Sequence, residues 1–387
     1  MRLRPLIFWP HLAAGVFAGL VILTMSATGV LLTYERQIVE WAEQSYSVSA
    51  GGNQSPLTVD ELLDIGRRIG PGEHHFWIRF VNRPGSPITI WAGDRAVLVN
   101  PYTGDILREG EGATADFFHV VEDVHRWLAV EGEGFDVARA TTAVSNLSFL
   151  FLMFSGIYLW LPRVWRWPIL KTKLFFNPKA SKAKARDFNW HHVFSAWAVV
   201  PLLFICLTAT VFYFPWANSA LYAAYGEEVP NRDANENDAE GLSDPIAVTM
   251  SQQALFDVAL DHARNNGAED WYSIWMEPSV VPGAIADFYV DRTIGHQPVE
   301  AYELTLDGTS GDVLRFMWGD DYSPGDQARD YVRYLHTGEV YGIIGQTIAG
   351  LASLAACLLV YTGLALVWRR LISQLPLTRH PPNRHRA

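Results

Sequence analysis

Four stretches of the chain contain no Asp, Glu, Lys or Arg: Pro5–Tyr34, Ala140–Leu161, Phe188–Gly226 and Val340–Trp368. A helix of about 20 apolar residues crosses the hydrocarbon core of a bilayer, so each stretch is long enough to span one. Length alone, 387 residues, would suit two or three soluble domains. The distribution of apolar residues excludes that reading, and with it disorder and a secreted soluble enzyme. The pattern is that of a membrane protein.

Charge sets the expected topology. All five lysines lie in one connector: Lys171, Lys173, Lys179, Lys182 and Lys184. Arg163, Arg166 and Arg186 join them, with Asp187 the only acid between Leu161 and Asp187. Arg2 and Arg4 precede the first apolar stretch; Arg369, Arg370, Arg379, Arg384 and Arg386 follow the last. By contrast, Glu35–Arg139 holds 17 acids against 9 bases, and Ala217–Gly338 holds 22 against 6. The positive-inside rule places both termini and the connector in the cytoplasm and both acidic segments outside. For a Gram-negative host the outside is the periplasm. Acidic segments of this size also exclude a nucleic-acid binder. The first apolar run ends in Thr33-Tyr34-Glu35 without a small-x-small cleavage site, which predicts an uncleaved anchor. Cys206 and Cys357, the only two cysteines, both fall in expected spans and form no disulfide framework outside the membrane.

The two outside segments repeat one another. In the first, Thr58-Val59-Asp60-Glu61 is a capping-box signal opening a helix over Leu57–Ile69. Strand-like runs follow at Phe76–Val81, Pro87–Ala92 and Ala96–Leu107. In the second, Thr249-Met250-Ser251-Gln252 opens a helix to about Arg264, followed by runs at Trp271–Met276, Ala286–Asp291 and Ala301–Phe316. Each final run contains a Gly-Asp turn, at Gly104-Asp105 and Gly311-Asp312. Two small α+β domains are expected. The spans repeat in parallel: His11 stands four residues before Gly15, and His191 four before Ser195. His125 precedes Ser155-Gly156, and His336 precedes Thr362-Gly363. Such a unit, used twice in one direction, is a parallel duplication.

Four of the twelve histidines occupy matching positions at span ends. His11 and His191 begin spans that run outward; His125 and His336 precede spans that run inward. At 1.5 Å per residue, His11 and Tyr34 stand about 35 Å apart, so the two pairs cannot share one site. Ionisable groups at such positions are usually functional or interfacial. Two pairs of imidazoles facing a bundle interior suit bis-His ligation of two haem b groups. Covalent c-type attachment is excluded, because no Cys-x-x-Cys-His occurs. A closed zinc site needs third and fourth ligands that these pairs lack. The alternative is four headgroup-level histidines. His192 competes with His191, about 100° around the same helix, and His119 competes with His125. Arg126 and Arg186 adjoin the ligand candidates and offer a fork geometry for haem propionates, with His192 near a propionate as well. His74, His75, His262 and His296 lie in the acidic segments and receive no role.

These residues resemble the PepSY-associated transmembrane proteins, a family that includes iron-regulated inner-membrane proteins and di-haem ferric-siderophore reductases. The resemblance rests on His11-x-x-x-Gly15, on Phe117-Phe118 through His125-Arg126-Trp127-Leu128, and on Arg186-Asp187-Phe188-Asn189-Trp190-His191-His192. Pro215-Trp216-Ala217-Asn218, Leu335-His336-Thr337-Gly338 and Asn100-Pro101-Tyr102-Thr103-Gly104-Asp105 extend it over nearly the whole chain. Ser195 stands where the family pattern has glycine. The implied fold is an α-helical membrane protein: a four-helix transmembrane bundle with two extracytoplasmic α+β PepSY-like domains. The expected organisation is a first span over 1–34, a first PepSY-like domain with its pre-span segment over 35–139, and a second span over 140–162. A basic cytoplasmic connector over 163–187 leads to a third span over 188–216. The second PepSY-like domain over 217–338, a fourth span over 339–370 and a cytoplasmic tail over 371–387 complete it.

The resemblance implies two haem b groups and electron transfer across a bacterial inner membrane, ending on a periplasmic ferric siderophore. His11 and His191 are expected to hold the cytoplasmic-side iron, and His125 and His336 the periplasmic-side iron. Reduction loosens the chelate, because iron(II) binds siderophore oxygens less tightly than iron(III). No Gly-x-Gly-x-x-Gly fingerprint opens a helix, so the electron donor is expected to be membrane quinol or a separate cytoplasmic reductase. Two other readings stand beside this one. One is a non-enzymatic regulatory module in which the PepSY-like domains bind a partner; the other is a quinone-linked cytochrome b serving another periplasmic acceptor.

Overall fold

A computed structural model describes residues 3–49, 51, 54–230, 250–278, 284–294 and 297–372. Thr249 of the expected second cap, His296, and the tail beyond Ile372 lie outside the described residues. The chain divides into a helical unit (Met1–Thr33, Val121–Phe214, Gln346–Ala387) and a sheet unit (Tyr34–Val120, Pro215–Gly345).

The four apolar stretches become helices of membrane-spanning length. These are α1 (Leu3–Leu32), the stretch Gly132–Trp160, a helix over Ala183–Tyr213 and the stretch Glu339–Leu371. Between them, α2 (Glu35–Gln44), α3 (Val59–Ile69) and α4 (Ala113–Trp127) precede α5 (Phe135–Trp160). The connector carries α6 (Trp167–Leu174), which leads to α7 (Ala183–Tyr213), α8 (Pro215–Ala223) and α9 (Gln252–Asn265). Last come α10 (Pro324–Thr337) and α11 (Gly342–Ile372). The outward faces remain strongly apolar: Phe17 is 87% and Leu20 72% exposed on α1, and Ile344 is 69% exposed on α11. Apolar surface on that scale is costly in water and ordinary in lipid. Within the helical unit, Leu150 and Met153 of α5 meet Ala198, Leu202 and Cys206 of α7 and Ala352, Ala355 and Ala356 of α11. Small residues let these helices approach closely. Buried Asn146 ties α5 to α7 by donating to the Cys206 carbonyl (3.1 Å) and to Thr210 Oγ1 (3.0 Å).

The basic connector is docked rather than loose. Asn189, buried on α7, accepts from the Asn177 amide (2.9 Å) and donates to the carbonyls of Thr172 (2.7 Å) and Phe175 (3.2 Å). One asparagine thereby satisfies carbonyls left over at the end of α6. Asp187, the lone acid of the connector, is fully buried and takes ion pairs from Arg186 (3.1 Å) and from Arg369 of α11.

In the sheet unit each half runs helix and then four strands. The first half, after α3, has β1 (Phe76–Val81), β2 (Ile88–Ala92), β3 (Arg95–Val99) and β4 (Ile106–Glu109). The second, after α9, has β5 (Ser273–Glu277), β6 (Ile285–Asp291), β7 (Ala301–Asp307) and β8 (Val313–Trp318). Strand β2 starts at Ile88 because Pro87 has no N–H to give the ladder. The expected capping box forms: Thr58 Oγ1 accepts from the Glu61 amide, and Glu61 accepts from the Thr58 amide. Asp60 reaches further and caps the other half, accepting from the amides of Gln252 (3.0 Å) and Gln253 (2.9 Å) at the start of α9.

The turns of the two halves share one hydrogen-bond pattern. Asn100 Oδ1 accepts from the amides of Tyr102 and Thr103, and Asp307 Oδ1 accepts from those of Thr309 and Ser310. Gly104 and Gly311, both at φ +75°, complete the turns in a conformation that L side chains rarely adopt.

The two α+β halves share one sheet. Strand β1 pairs antiparallel with β5, Arg79 opposite Trp275, so all eight strands form one sheet in the order β4-β3-β2-β1-β5-β6-β7-β8. Left apart, β1 and β5 would each present an unpaired edge, and pairing removes both. One core then serves both halves, with Leu62, Ile78 and Ile90 in the same cluster as Leu255, Ile274, Phe288 and Leu304.

Candidate functional site

The helical unit holds three of the four singled-out histidines, and each is seated in the same way. His11 on α1 has Nδ1 2.8 Å from Ser155 Oγ on α5. His191 on α7 has Nδ1 3.0 Å from Thr362 Oγ1 on α11. His125, in the last turn of α4, has Nδ1 2.9 Å from Thr28 Oγ1 on α1. A glycine follows each hydroxyl residue. A Cβ built on Gly156 would lie 3.4 Å from His11 Cε1, one on Gly363 3.5 Å from His191 Cε1, and one on Gly29 3.5 Å from His125 Cε1. Each imidazole therefore rests on a hydroxyl at Nδ1 and on bare backbone at Cε1.

The hydroxyls have little freedom. Ser155 donates to the Phe151 carbonyl at 2.6 Å, Thr362 to Leu358 at 2.7 Å and Thr28 to Thr24 at 2.7 Å. An oxygen pair that close needs a proton between them, and a carbonyl has none to offer. In all three seats the imidazole Nδ1–H thus donates to the hydroxyl. Nε2 is left as the lone-pair nitrogen of the neutral ring, the one able to ligate a metal. His11 and His191 both belong to the helical unit.

His191 and His192 are now distinguished. His191 carries the hydroxyl–glycine seat, whereas His192 Nδ1 lies 2.8 Å from the Phe188 carbonyl of its own helix, its ring against Phe188. Trp160 donates to the His192 carbonyl, and Lys173 lies over the Trp160 ring at 5.3 Å. His119 is likewise distinguished from His125: its Nε2 lies 3.1 Å from Glu111 within the sheet unit. Arg186 binds Asp187 and lies 5.5 Å over the Trp190 ring, which makes it a support for the buried carboxylate. Arg126 is exposed, pairs with Glu122 at 2.8 Å and lies 4.7 Å over Trp127. His336 is half-buried in the last turn of α10, in the sheet unit, while His125 is in the helical unit.

The turn that presents His125 depends on groups the sequence did not single out. Helix α4 ends where Leu128 (φ 60°) and Ala129 (φ 52°) both turn left-handed. The orphaned Arg126 carbonyl accepts from Thr142 Oγ1 at 2.8 Å and from Tyr213 OH at 2.9 Å. In the other half, Gly338 (φ 83°) caps α10 just after His336. Buried Glu339 fixes that corner by accepting from Arg36 (2.9 Å) and Thr337 Oγ1 (2.8 Å).

Of the histidines given no role, His75 pairs with Glu277 at 3.0 Å. His262 packs on Phe316 and Tyr302, and burial lowers its pKa. The sheet unit also buries Asp291, whose pKa is raised to about 6 by desolvation. Thr293 opposes that shift by donating its amide (2.8 Å) and hydroxyl (3.1 Å) to Oδ1.

Long apolar helices with lipid-facing side chains, joined in one chain to an antiparallel α+β unit, define a membrane protein with a folded polar part. The chain belongs to the PepSY-associated TM region family, which it matches over residues 8–370. No curated protein is similar enough to the chain to match it.

Proposed function

We propose that the chain is a di-haem b oxidoreductase of a bacterial inner membrane that carries electrons outward and reduces a periplasmic ferric siderophore, releasing iron. Both termini and the basic connector are assigned to the cytoplasm, and the two acidic segments, duplicated from one ancestor, to the periplasm. The observation that carries this reading is the pair His11 and His191. Two spanning helices carry imidazoles in one unit, each with Nδ1 tied to a hydroxyl, which leaves Nε2 as the lone-pair nitrogen. Among the described residues no three His, Cys, Asp or Glu side chains converge as a metal site would require. Two imidazoles complete a coordination sphere only when the cofactor brings the remaining ligands, as a porphyrin does.

His11 and His191, both in the helical unit, fit such a group and would hold one haem iron. His125 and His336 are proposed to hold the other. Haem b, when bound, would supply reversible one-electron chemistry at these histidines. The chain contributes the rest. Ser155, Thr362 and Thr28 orient the ligands, and Gly156, Gly363 and Gly29 let the rings sit against backbone. The donor is proposed to be quinol or a cytoplasmic reductase.

The test is an absorption spectrum of purified full-length protein, followed by chemical reduction and addition of ferric siderophores with an iron(II) chelator present. The proposal expects a Soret band, reoxidation by at least one ferric siderophore, and trapped iron(II). Loss of the Soret band altogether would favour a regulatory module. Haem that ferric chelates fail to reoxidise would favour a quinone-linked cytochrome with another acceptor.

A further inference from the structure

We infer that the hydroxyl–glycine pairs Ser155-Gly156, Thr362-Gly363 and Thr28-Gly29 are positioning elements that fix Nε2 as the ligating nitrogen and set the redox potential of the metal each histidine binds. The inference rests on the haem reading and goes beyond it, because it assigns a tuning role to residues that touch no metal. Three independent seats carry it. Each places a hydroxyl 2.8–3.0 Å from Nδ1. In each, that hydroxyl gives its single proton to the carbonyl four residues back in its own helix, at 2.6–2.7 Å. In each, the next residue is a glycine whose missing side chain leaves the ring edge against backbone.

The physical consequence follows from the direction of the bonds. The chain Nδ1–H to hydroxyl to helix carbonyl draws the Nδ1 proton outward, which makes the opposite nitrogen more basic. A more basic axial ligand favours the more highly charged, oxidised metal and lowers the potential. A hydroxyl already donating to a carbonyl is a better acceptor than an isolated one, because successive hydrogen bonds polarise one another. The inner pair has a seat on each side, Ser155 for His11 and Thr362 for His191, so both axial ligands of one metal are tuned together. His125 has its own seat at Thr28, so the two metals are adjustable separately.

The experiment compares full-length wild type with Thr362→Val, Thr362→Ser and Thr28→Val, each loaded with haem. Potentiometric titration gives the midpoints and electron paramagnetic resonance of the oxidised protein gives the axial signature. In Thr362→Val, about a tenfold loss of preference for the oxidised form is expected. That corresponds to a rise of about 59 mV for one electron, with a changed low-spin signal, confined to one haem. Thr362→Ser should return both to wild type, and Thr28→Val should move the other haem instead. Loss of the inner haem in Thr362→Val with retention in Thr362→Ser would also support the seat. Wild-type midpoints and spectra in Thr362→Val, or equal haem loss in the Val and Ser variants, would overturn it while leaving the haem reading intact. Wild-type protein without haem would overturn the parent reading, and the seat with it.

Discussion

Replacing Thr142 with Val and Tyr213 with Phe, singly and together, probes the corner that presents His125. Both hydroxyls donate to one acceptor, the Arg126 carbonyl, at 2.8 and 2.9 Å. Removing either leaves that carbonyl one donor, so each single change should cost about 1 kcal/mol, the net worth of an ordinary hydrogen bond. Thr142→Val should be the milder, because the Thr142 proton is shared with the Arg139 carbonyl at 2.9 Å. Removing both strands the carbonyl at the end of α4, next to Leu128 and Ala129 in left-handed conformations. A carbonyl stripped of both protein donors costs more than one that keeps a partner, by roughly 1–3 kcal/mol where water does not replace them. The double variant should therefore lose more than the two singles combined, by at least about 1 kcal/mol. Urea unfolding in detergent micelles, followed by tryptophan fluorescence for all four proteins, measures the difference. Additivity within about 0.5 kcal/mol would refute the reasoning, since it would mean that the carbonyl finds another partner once both hydroxyls are gone.

Other outcomes follow from the same geometry. His336→Ala should remove one haem and leave one per chain by pyridine-haemochrome assay; two remaining would break the assigned pairing. Gly156→Ala should keep the inner haem, because the added methyl only reaches contact with His11 Cε1 at 3.4 Å, whereas Gly156→Leu should displace the ring and lower haem content. Asp60→Ala should destabilise the sheet unit by about 1 kcal/mol, as loss of a helix cap does, because Asp60 caps α9 from α3. Asp291 gives a pH dependence: with its folded pKa raised to about 6, its protonated form is favoured by folding. The stability it confers is full below about pH 4 and is lost as pH rises through about 6, a change on the order of 3 kcal/mol. Asp291→Asn should flatten that slope in unfolding measured between pH 4 and pH 7; an unchanged slope would assign it elsewhere.

The spans, the Thr58–Glu61 capping box and strand β1 at Phe76–Val81 were legible because each is written in neighbouring residues. The β1–β5 pairing was not. It joins residues about 200 apart, such as Arg79 and Trp275, and local alternation says which residues form a strand without saying which strand lies beside it. The histidines were visible as ionisable groups at span ends, and Ser155-Gly156 and Thr362-Gly363 were visible as repeated landmarks. Their role was hidden, because the hydropathy of α1, α5, α7 and α11 does not reveal which faces meet. Thr28-Gly29 gave no signal, since a hydroxyl beside a glycine is ordinary in a membrane helix. Asp187 was conspicuous as the single acid among eight bases, and its burial against Arg369 explains why an acid is tolerated there.

The most direct test of the account is the haem content of purified wild-type chain, by pyridine haemochrome against protein concentration, with resonance spectra of the oxidised form. The account predicts two haem b per chain, both low-spin with paired imidazole ligands. A preparation made with haem in ample supply that shows no Soret absorption would contradict it.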